Sequence, residues 1–380
     1  MPDNLVAKSM AANTTSVPMF EILTQYQSLR SEIEAAVHHV LDSTEYIGGA
    51  ALRDFESNLG QRFNARAVAV SSGTDAILAS LMALGIGRGD KVITTPFTFF
   101  ATAGCITRAG AKPVFVDIDP ATFLMRTDVI SAVVDAQCKA LIPVHLFGQM
   151  CEMTPLAELC GKHNLKIVED AAQCIGATDS RGKVPGELGS TACLSFYPTK
   201  NLGAAGDAGA VIVRDTALAG RLEQTRQHGE TSRYHHAFVG GNFRLDGIQC
   251  AVLNVKLKYL DKWNNRRRQI AAYYSSRFKN TDVIAPAEIP GTHHVYHQYV
   301  VRIPRRDSAK EHLQKGGIGS AIYYPRPLHL QECFEDLGYK EGAFPASEQA
   351  CREVLALPVF PELTDAQIQH VADTLLAFYK

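Results

Sequence analysis

Short runs rich in β-branched residues at 67–70, 91–94, 113–117, 140–144 and 166–169 alternate with segments long enough to be helices. A chain with that rhythm is confined to βαβ units, which set parallel strands side by side and cover both faces of the sheet with helices. Two further runs, 188–196 and 208–213, bring the expected sheet to seven strands. In such an α/β sheet, ligands gather beyond the carboxyl ends of the strands. Thr74, Phe99, Asp170 and Gln173 all fall just past a predicted strand end.

The stretch Ser195-Phe196-Tyr197-Pro198-Thr199-Lys200-Asn201-Leu202-Gly203 sets Lys200 in a turn directly after the sixth of these strands, and Val168-Glu169-Asp170-Ala171-Ala172-Gln173 sets Asp170 at the end of the fifth. Alone, each has an ordinary explanation: lysines in turns are mostly solvated, and an aspartate before a helix is a common cap. Together they are the pair that pyridoxal phosphate requires, an amine able to form an imine and a carboxylate able to hold the proton of a pyridinium nitrogen. Ser71-Ser72-Gly73-Thr74-Asp75 adds a helix N-terminus between a strand and a helical run. By itself this is a capped helix; beside Lys200 its free N–H groups and hydroxyl suit a phosphate.

The remaining features narrow the function by exclusion. Lysine and arginine number 38 against 39 aspartates and glutamates, so no charge imbalance draws the chain to nucleic acid or to an anionic membrane. The nine cysteines are scattered without a C-x-x-C pair, which predicts free, mostly buried thiols in a reducing compartment. No apolar run approaches the roughly 18 residues of a membrane helix, and the basic-then-apolar order of a secretory signal is absent, so the expected location is the cytoplasm. His293, His294 and His297 lack an acid or thiol partner and read as a surface or substrate-rim group, with no metal expected. Arg266-Arg267-Arg268 reads as a solvated helix face.

A length of 380 residues predicts one large domain and a smaller one. The expected division is a loose tail over 1–17, a large α/β domain over 18–260 and a small α+β domain over 261–380. An amphipathic helix from Phe20 to Asp42 is expected to pack on the small domain. Residues 245–278 read as one long helix and 227–242 as a long loop. In the C-terminal part, strands are expected at 295–303 and 318–324, with helices at 308–315 and 364–378.

Five strings carry a resemblance to a known family: Ser72-Gly73-Thr74-Asp75-Ala76, Thr98-Phe99-Phe100-Ala101-Thr102, Glu169-Asp170-Ala171-Ala172-Gln173, Ser195 to Asn201, and Gly241-Asn242-Phe243-Arg244-Leu245-Asp246. In this order, and with Tyr324-Pro325-Arg326-Pro327-Leu328-His329 and Leu357-Pro358-Val359-Phe360-Pro361 beyond them, the chain resembles the DegT/DnrJ/EryC1/StrS family from about Phe20 to its end. The resemblance implies a fold-type I, pyridoxal-phosphate-dependent aminotransferase that moves an amino group from L-glutamate to a nucleotide-linked keto-sugar by a ping-pong mechanism. It implies that Lys200 forms the imine and Asp170 holds the ring nitrogen. Gln173 would bond the ring hydroxyl oxygen, Phe99 would stack on the ring, and Gly73, Thr74 and Ser195 would take the phosphate. It also implies a homodimer in which Asn242 reaches the phosphate of the other subunit.

Relatives that use histidine in place of the lysine perform deoxygenation, so the presence of Lys200 favours transamination. Gln173 is similar to members acting at C3, and the segment from His228 to Asp246 resembles enzymes of UDP-linked 2-acetamido-3-keto sugars. Arg244, Tyr323 and His329 are expected at the sugar. Where Tyr323 stands, the branch acting on uronic acids usually has histidine, and a tyrosine offers no positive charge at neutral pH. The expected substrate is therefore a neutral UDP-2-acetamido-2-deoxy-3-keto-hexose, giving a 2,3-diamino sugar. The corresponding uronic acid, a dTDP-3-keto-6-deoxyhexose, and a non-catalytic ligand-binding regulator on the same scaffold are the alternatives.

Overall fold

The seven runs expected as strands all pair into one sheet in the computed structural model, which describes residues 16–379. They are β1 (Arg66–Val70), β2 (Lys91–Thr94), β3 (Lys112–Phe115), β4 (Cys138–Leu141), β5 (Lys166–Asp170), β6 (Thr191–Ser195) and β7 (Gly209–Val213), in the spatial order β1-β7-β6-β5-β4-β2-β3. Only β7 runs against its neighbours; β1 is antiparallel to β7 and thus shares the direction of β6. The carboxyl ends of β1, β6, β5, β4, β2 and β3 therefore meet along one edge.

Successive strand residues face opposite sides of a sheet, and the two cores follow that alternation. Val68, Val70, Val92, Ile142, Val168, Cys193 and Val211 point to one face, under α3 (Gly73–Ala83), α4 (Ala101–Arg108) and α6 (Thr216–Arg226). Ala67, Ala69, Ile93, Leu141, Ile167, Leu194 and Ile212 point to the other, under α2 (Gly49–Phe63), α5 (Met153–His163) and α7 (Gly247–Leu257). The chain leaves this layer through α8 (Leu260–Arg277), whose Ile270, Ala271 and Tyr274 enter a third cluster. That cluster is built from β10 (Tyr299–Arg302), α9 (Arg306–Lys315), β11 (Val354–Leu357) and α11 (Asp365–Ala377), with α10 (Pro345–Glu353) leading into β11. A capping box between Thr364 and Gln367 starts α11.

Several expectations are corrected. The helix α1 (Leu23–Ser43) packs Leu29 and Ile33 mainly on Val252 and Val255 of α7, and meets the expected small domain through Trp263 of α8 and a Gln25–Glu362 hydrogen bond at 3.2 Å. The expected tail lies mostly outside the described residues, but Val17 is fully buried and bridges Ile318. The long helix is two, α7 and α8. Lys258 and Tyr259 between them keep near-helical dihedrals, so no glycine or proline marks the break. Residues 227–242 are no open loop but carry a short hairpin, β8 (Glu230–Ser232) with β9 (His235–His236). The strand expected at 318–324 is reduced to isolated bridges at Ile318 and Ala321, the second of them to Ala356 of the unforeseen β11. All nine cysteines are free, and Cys333 alone is exposed.

Arg267, expected on a solvated face, is 7% exposed. Its Nη1 donates to the carbonyls of Tyr296, His297 and Val359 at 3.4, 3.4 and 2.9 Å. Two non-helical segments are thus tied to α8 by one guanidinium, while Arg266 reaches the mostly exposed Asp365 and the Leu363 carbonyl. Removing a charged donor from buried carbonyls costs far more than removing an exposed ion pair. Arg267→Met should lower stability by about 3 kcal/mol and Arg266→Ala by less than about 1 kcal/mol, measured as shifts in the urea midpoint; equal shifts would contradict the role given to Arg267.

Candidate active site

Two glycines let the strand ends close on one another. Gly209, the first residue of β7, pairs with both Val70 and Ser195. A Cβ there would lie 2.4 Å from the Ser72 carbonyl carbon, and one on Gly73 would lie 2.6 Å from Ser195 Cβ. Neither can carry a side chain, so the start of α3 sits directly against the end of β6. Ser72 caps α3, its Oγ accepting from Asp75 N at 3.0 Å, and the first turn opens into the cavity at Gly73 and Thr74.

That cavity, about 630 Å³, lies at the carboxyl edge of the sheet. Gly73, Thr74, Phe99, Asp170, Gln173, Ser195, Lys200 and Tyr323 all line it. Asp170 and Lys200 come together because β5 and β6 are parallel neighbours in register, Asp170 beside Cys193. Burial pushes the Lys200 amine down to about 8, against the opposing pull of Asp170 and Cys174. Asp170 Oδ2 accepts from Thr102 Oγ1 at 2.7 Å, and Oδ1 from Ala172 N at 3.2 Å. Gln173 is held at both ends: Oε1 accepts from Phe147 N at 2.7 Å and Nε2 donates to the Tyr324 hydroxyl at 3.1 Å, leaving one amide hydrogen uncommitted. Phe99 is 58% exposed and approaches Tyr324 at 6.3 Å. An aromatic ring left this open over a cavity has a free face.

The sugar-side expectations fare differently. Tyr323 is half-buried at the rim, where burial raises its phenol and keeps it neutral at physiological pH. Asn242 is exposed and, with Arg244, is absent from the cavity lining. His329 is not brought to the cavity: it is 2% exposed, packs its ring 4.8 Å from Phe344, and pairs Nε2 with Glu348 at 3.1 Å. Within this chain it sits in a satellite core with Leu328, Phe334 and Phe344.

Sequence reasoning gave no role to three lining or supporting residues: Thr102, His145 and Tyr324. His145 is fully buried at the cavity floor; its Nδ1 accepts from Cys151 N, and its Nε2 donates to Glu169, which also accepts from the N–H groups of Gly186 and Gly189. Of the two expectations for His297, surface or substrate rim, burial removes the first. It is 5% exposed and lines the cavity. Asn201 Nδ2 donates to Asn264 Oδ1 and to the Val295 carbonyl, and Asn264 Nδ2 donates to the Ile175 carbonyl. Those carbonyls fix both amides, so Asn201 Oδ1 must accept and His297 Nδ1 must donate, at 3.2 Å. Nε2 of His297 is thereby left as a bare acceptor, and burial together with the charges of Lys200 and Arg267 keeps the ring neutral. Thr102 lies in one of the family strings and at i, i+4 from Thr98, whereas for His145 the sequence carries no signal.

These residues fit pyridoxal phosphate. An amine depressed by burial faces a buried acid, a side-chain-free cradle at a helix N-terminus lies to one side, and an open aromatic face lies above. No group of three or more histidine, cysteine or acidic side chains among the described residues could hold a metal ion. No helix among them is long and apolar enough to cross a membrane.

Residues 27–376 match the DegT/DnrJ/EryC1/StrS aminotransferase family. The chain is 46% identical over 369 residues to the pleiotropic regulatory protein of Geobacillus stearothermophilus, covering 96% of this chain and 99% of that one. It is 40% identical over 362 residues to the UDP-N-acetyl-3-dehydro-α-D-glucosamine 3-aminotransferase of Acidithiobacillus ferrooxidans, covering 95% and 97%. The crystal structure of Streptomyces venezuelae DesV, in complex with a ketimine intermediate, superposes with a TM-score of 0.93 at 38% identity over 96% of this chain and 99% of that one. A fold, a cavity chemistry and a sequence match that run the length of the described chain converge, and the chain belongs to the DegT/DnrJ/EryC1/StrS aminotransferase family as a pyridoxal-phosphate-dependent sugar aminotransferase.

Proposed function

We propose that the chain transfers an amino group from L-glutamate to C3 of a UDP-2-acetamido-2-deoxy-3-keto-hexose, giving a 2,3-diamino sugar nucleotide. The observation that carries this reading is the Lys200 amine, brought down to about 8 by burial and set opposite Asp170 on adjacent strand ends. Pyridoxal phosphate, when bound, supplies a carbon that condenses with amines and an electron-withdrawing ring. Lys200 holds the group through its amine; when a donor amine displaces it, the freed amine moves a proton at the substrate carbon. A lysine poised near neutrality suits both duties, because it must be unprotonated to attack and to act as base. Asp170 holds the proton of the ring nitrogen, Gln173 offers its uncommitted amide hydrogen to the ring oxygen, and Phe99 covers one face. Gly73, Thr74 and Ser195 take the phosphate. The exposed position of Asn242, away from this chain's own cavity, supports a homodimer in which it serves the other subunit's site.

Preference for a neutral sugar rests on Tyr323, a neutral phenol at the rim. The 40% identical relative whose name gives a UDP-N-acetyl-3-dehydro sugar supports the same choice. A second reading, a ligand-binding regulator, draws support from the regulatory name of the 46% identical relative; the retained Lys200 and Asp170 favour catalysis.

Incubating the holoenzyme with L-glutamate and UDP-3-keto-N-acetylglucosamine should yield 2-oxoglutarate and a 3-amino product identifiable by mass and NMR. Lys200→Ala should fold but lose transfer by more than about a thousandfold, as expected when a group that is both tether and base is removed. Ligand binding without product would favour the regulator. Tyr323→His should raise the kcat/KM ratio of the 3-keto uronic acid over the neutral sugar by about tenfold, the worth of one added charged hydrogen bond; an unchanged ratio would remove Tyr323 from the specificity argument.

A further inference from the structure

Asp170 is served by a chain of two hydroxyls that the cofactor chemistry above does not use. Thr98 and Thr102, on the entry to α4 and in its first turn, are 3% and 0% exposed. Thr102 Oγ1 lies 2.7 Å from Asp170 Oδ2, 3.1 Å from Thr98 Oγ1 and 3.3 Å from the Phe99 carbonyl. A hydroxyl has one hydrogen. The carboxylate is the shortest and strongest acceptor of the three, so the Thr102 hydrogen goes to Oδ2. Thr98 must then give its own hydrogen to Thr102, and the relay runs one way, Thr98 to Thr102 to Asp170.

The consequence concerns Asp170 in its working state. Oδ2 is occupied as an acceptor, whereas Oδ1 receives only the 3.2 Å N–H of Ala172 among the described residues and keeps room for a second donor. The backbone N–H of Thr102 donates to the Phe99 carbonyl at 3.3 Å, so the same residue links the acid to the aromatic cover. We infer that Thr102, backed by Thr98, is a positioning residue that fixes the Asp170 carboxylate so that Oδ1 meets the ring nitrogen of the cofactor. This rests on the assignment of Asp170 to that nitrogen.

The test uses pyridoxal phosphate binding to the full-length protein, followed by absorbance, and the pH at which the bound chromophore changes colour. Thr102→Val, which keeps the side-chain shape, should weaken cofactor binding by about tenfold and move the colour transition, while Thr102→Ser should restore both. Thr98→Val, one step removed, should shift both in the same direction by less. Wild-type affinity and an unmoved transition in Thr102→Val, together with weakened binding in Asp170→Asn, would overturn the relay and leave the Asp170 assignment standing. An unchanged Asp170→Asn would overturn both.

Discussion

Everything at the site follows from taking one amine out of water. Burial lowers the basicity of Lys200 while Asp170 and the Cys174 thiol raise it, and burial wins, leaving the amine at about 8. At pH 7 roughly one such lysine in ten is neutral, against roughly one in three thousand at its unperturbed value. The same desolvation makes the attraction of Asp170 for the amine stronger than it would be in water. His297 belongs to that environment: its orientation is dictated by the amides of Asn201 and Asn264, and Asn201 follows Lys200 in the chain.

The sheet supplies the position. A single reversed strand, β7, lets β1 lie parallel to β6 across it, so a helix N-terminus after β1 and a lysine after β6 share one edge. Gly209 and Gly73 remove the atoms that would hold those segments apart. Behind the lysine, Lys256 of α7 donates to the Gly203 carbonyl at 2.6 Å and pins the turn that carries it. The catalytic geometry is thus a property of strand order and close backbone approach before it is one of any side chain.

How much of this could be read from the sequence depends on range. The seven strand runs of the large sheet, the α3 cap and the strand-end positions of Lys200 and Asp170 are local, and each appears where its residues predict. Residues whose role is set by distant partners do not announce themselves. Arg267 looks like its half-buried neighbours until three carbonyls from other segments surround it. His297 reads as a surface or substrate-rim residue, and the orientation of its ring is set by Asn201, 96 positions away. The break between α7 and α8 is hidden because Lys258 and Tyr259 stay close to helical dihedrals. His329 shows the converse: a residue in a recognisable motif that this chain packs against Glu348 and Phe344, outside its own cavity.

The account stands on the identity of one nitrogen. Cofactor-free protein mixed with pyridoxal phosphate over a range of pH, reduced with borohydride, digested and mapped by mass spectrometry would locate the attachment directly. The expected result is a pyridoxyl group on Lys200, with a capture rate that climbs with pH through a midpoint at about 8 as the amine loses its proton. A label on another lysine, or none, would contradict it.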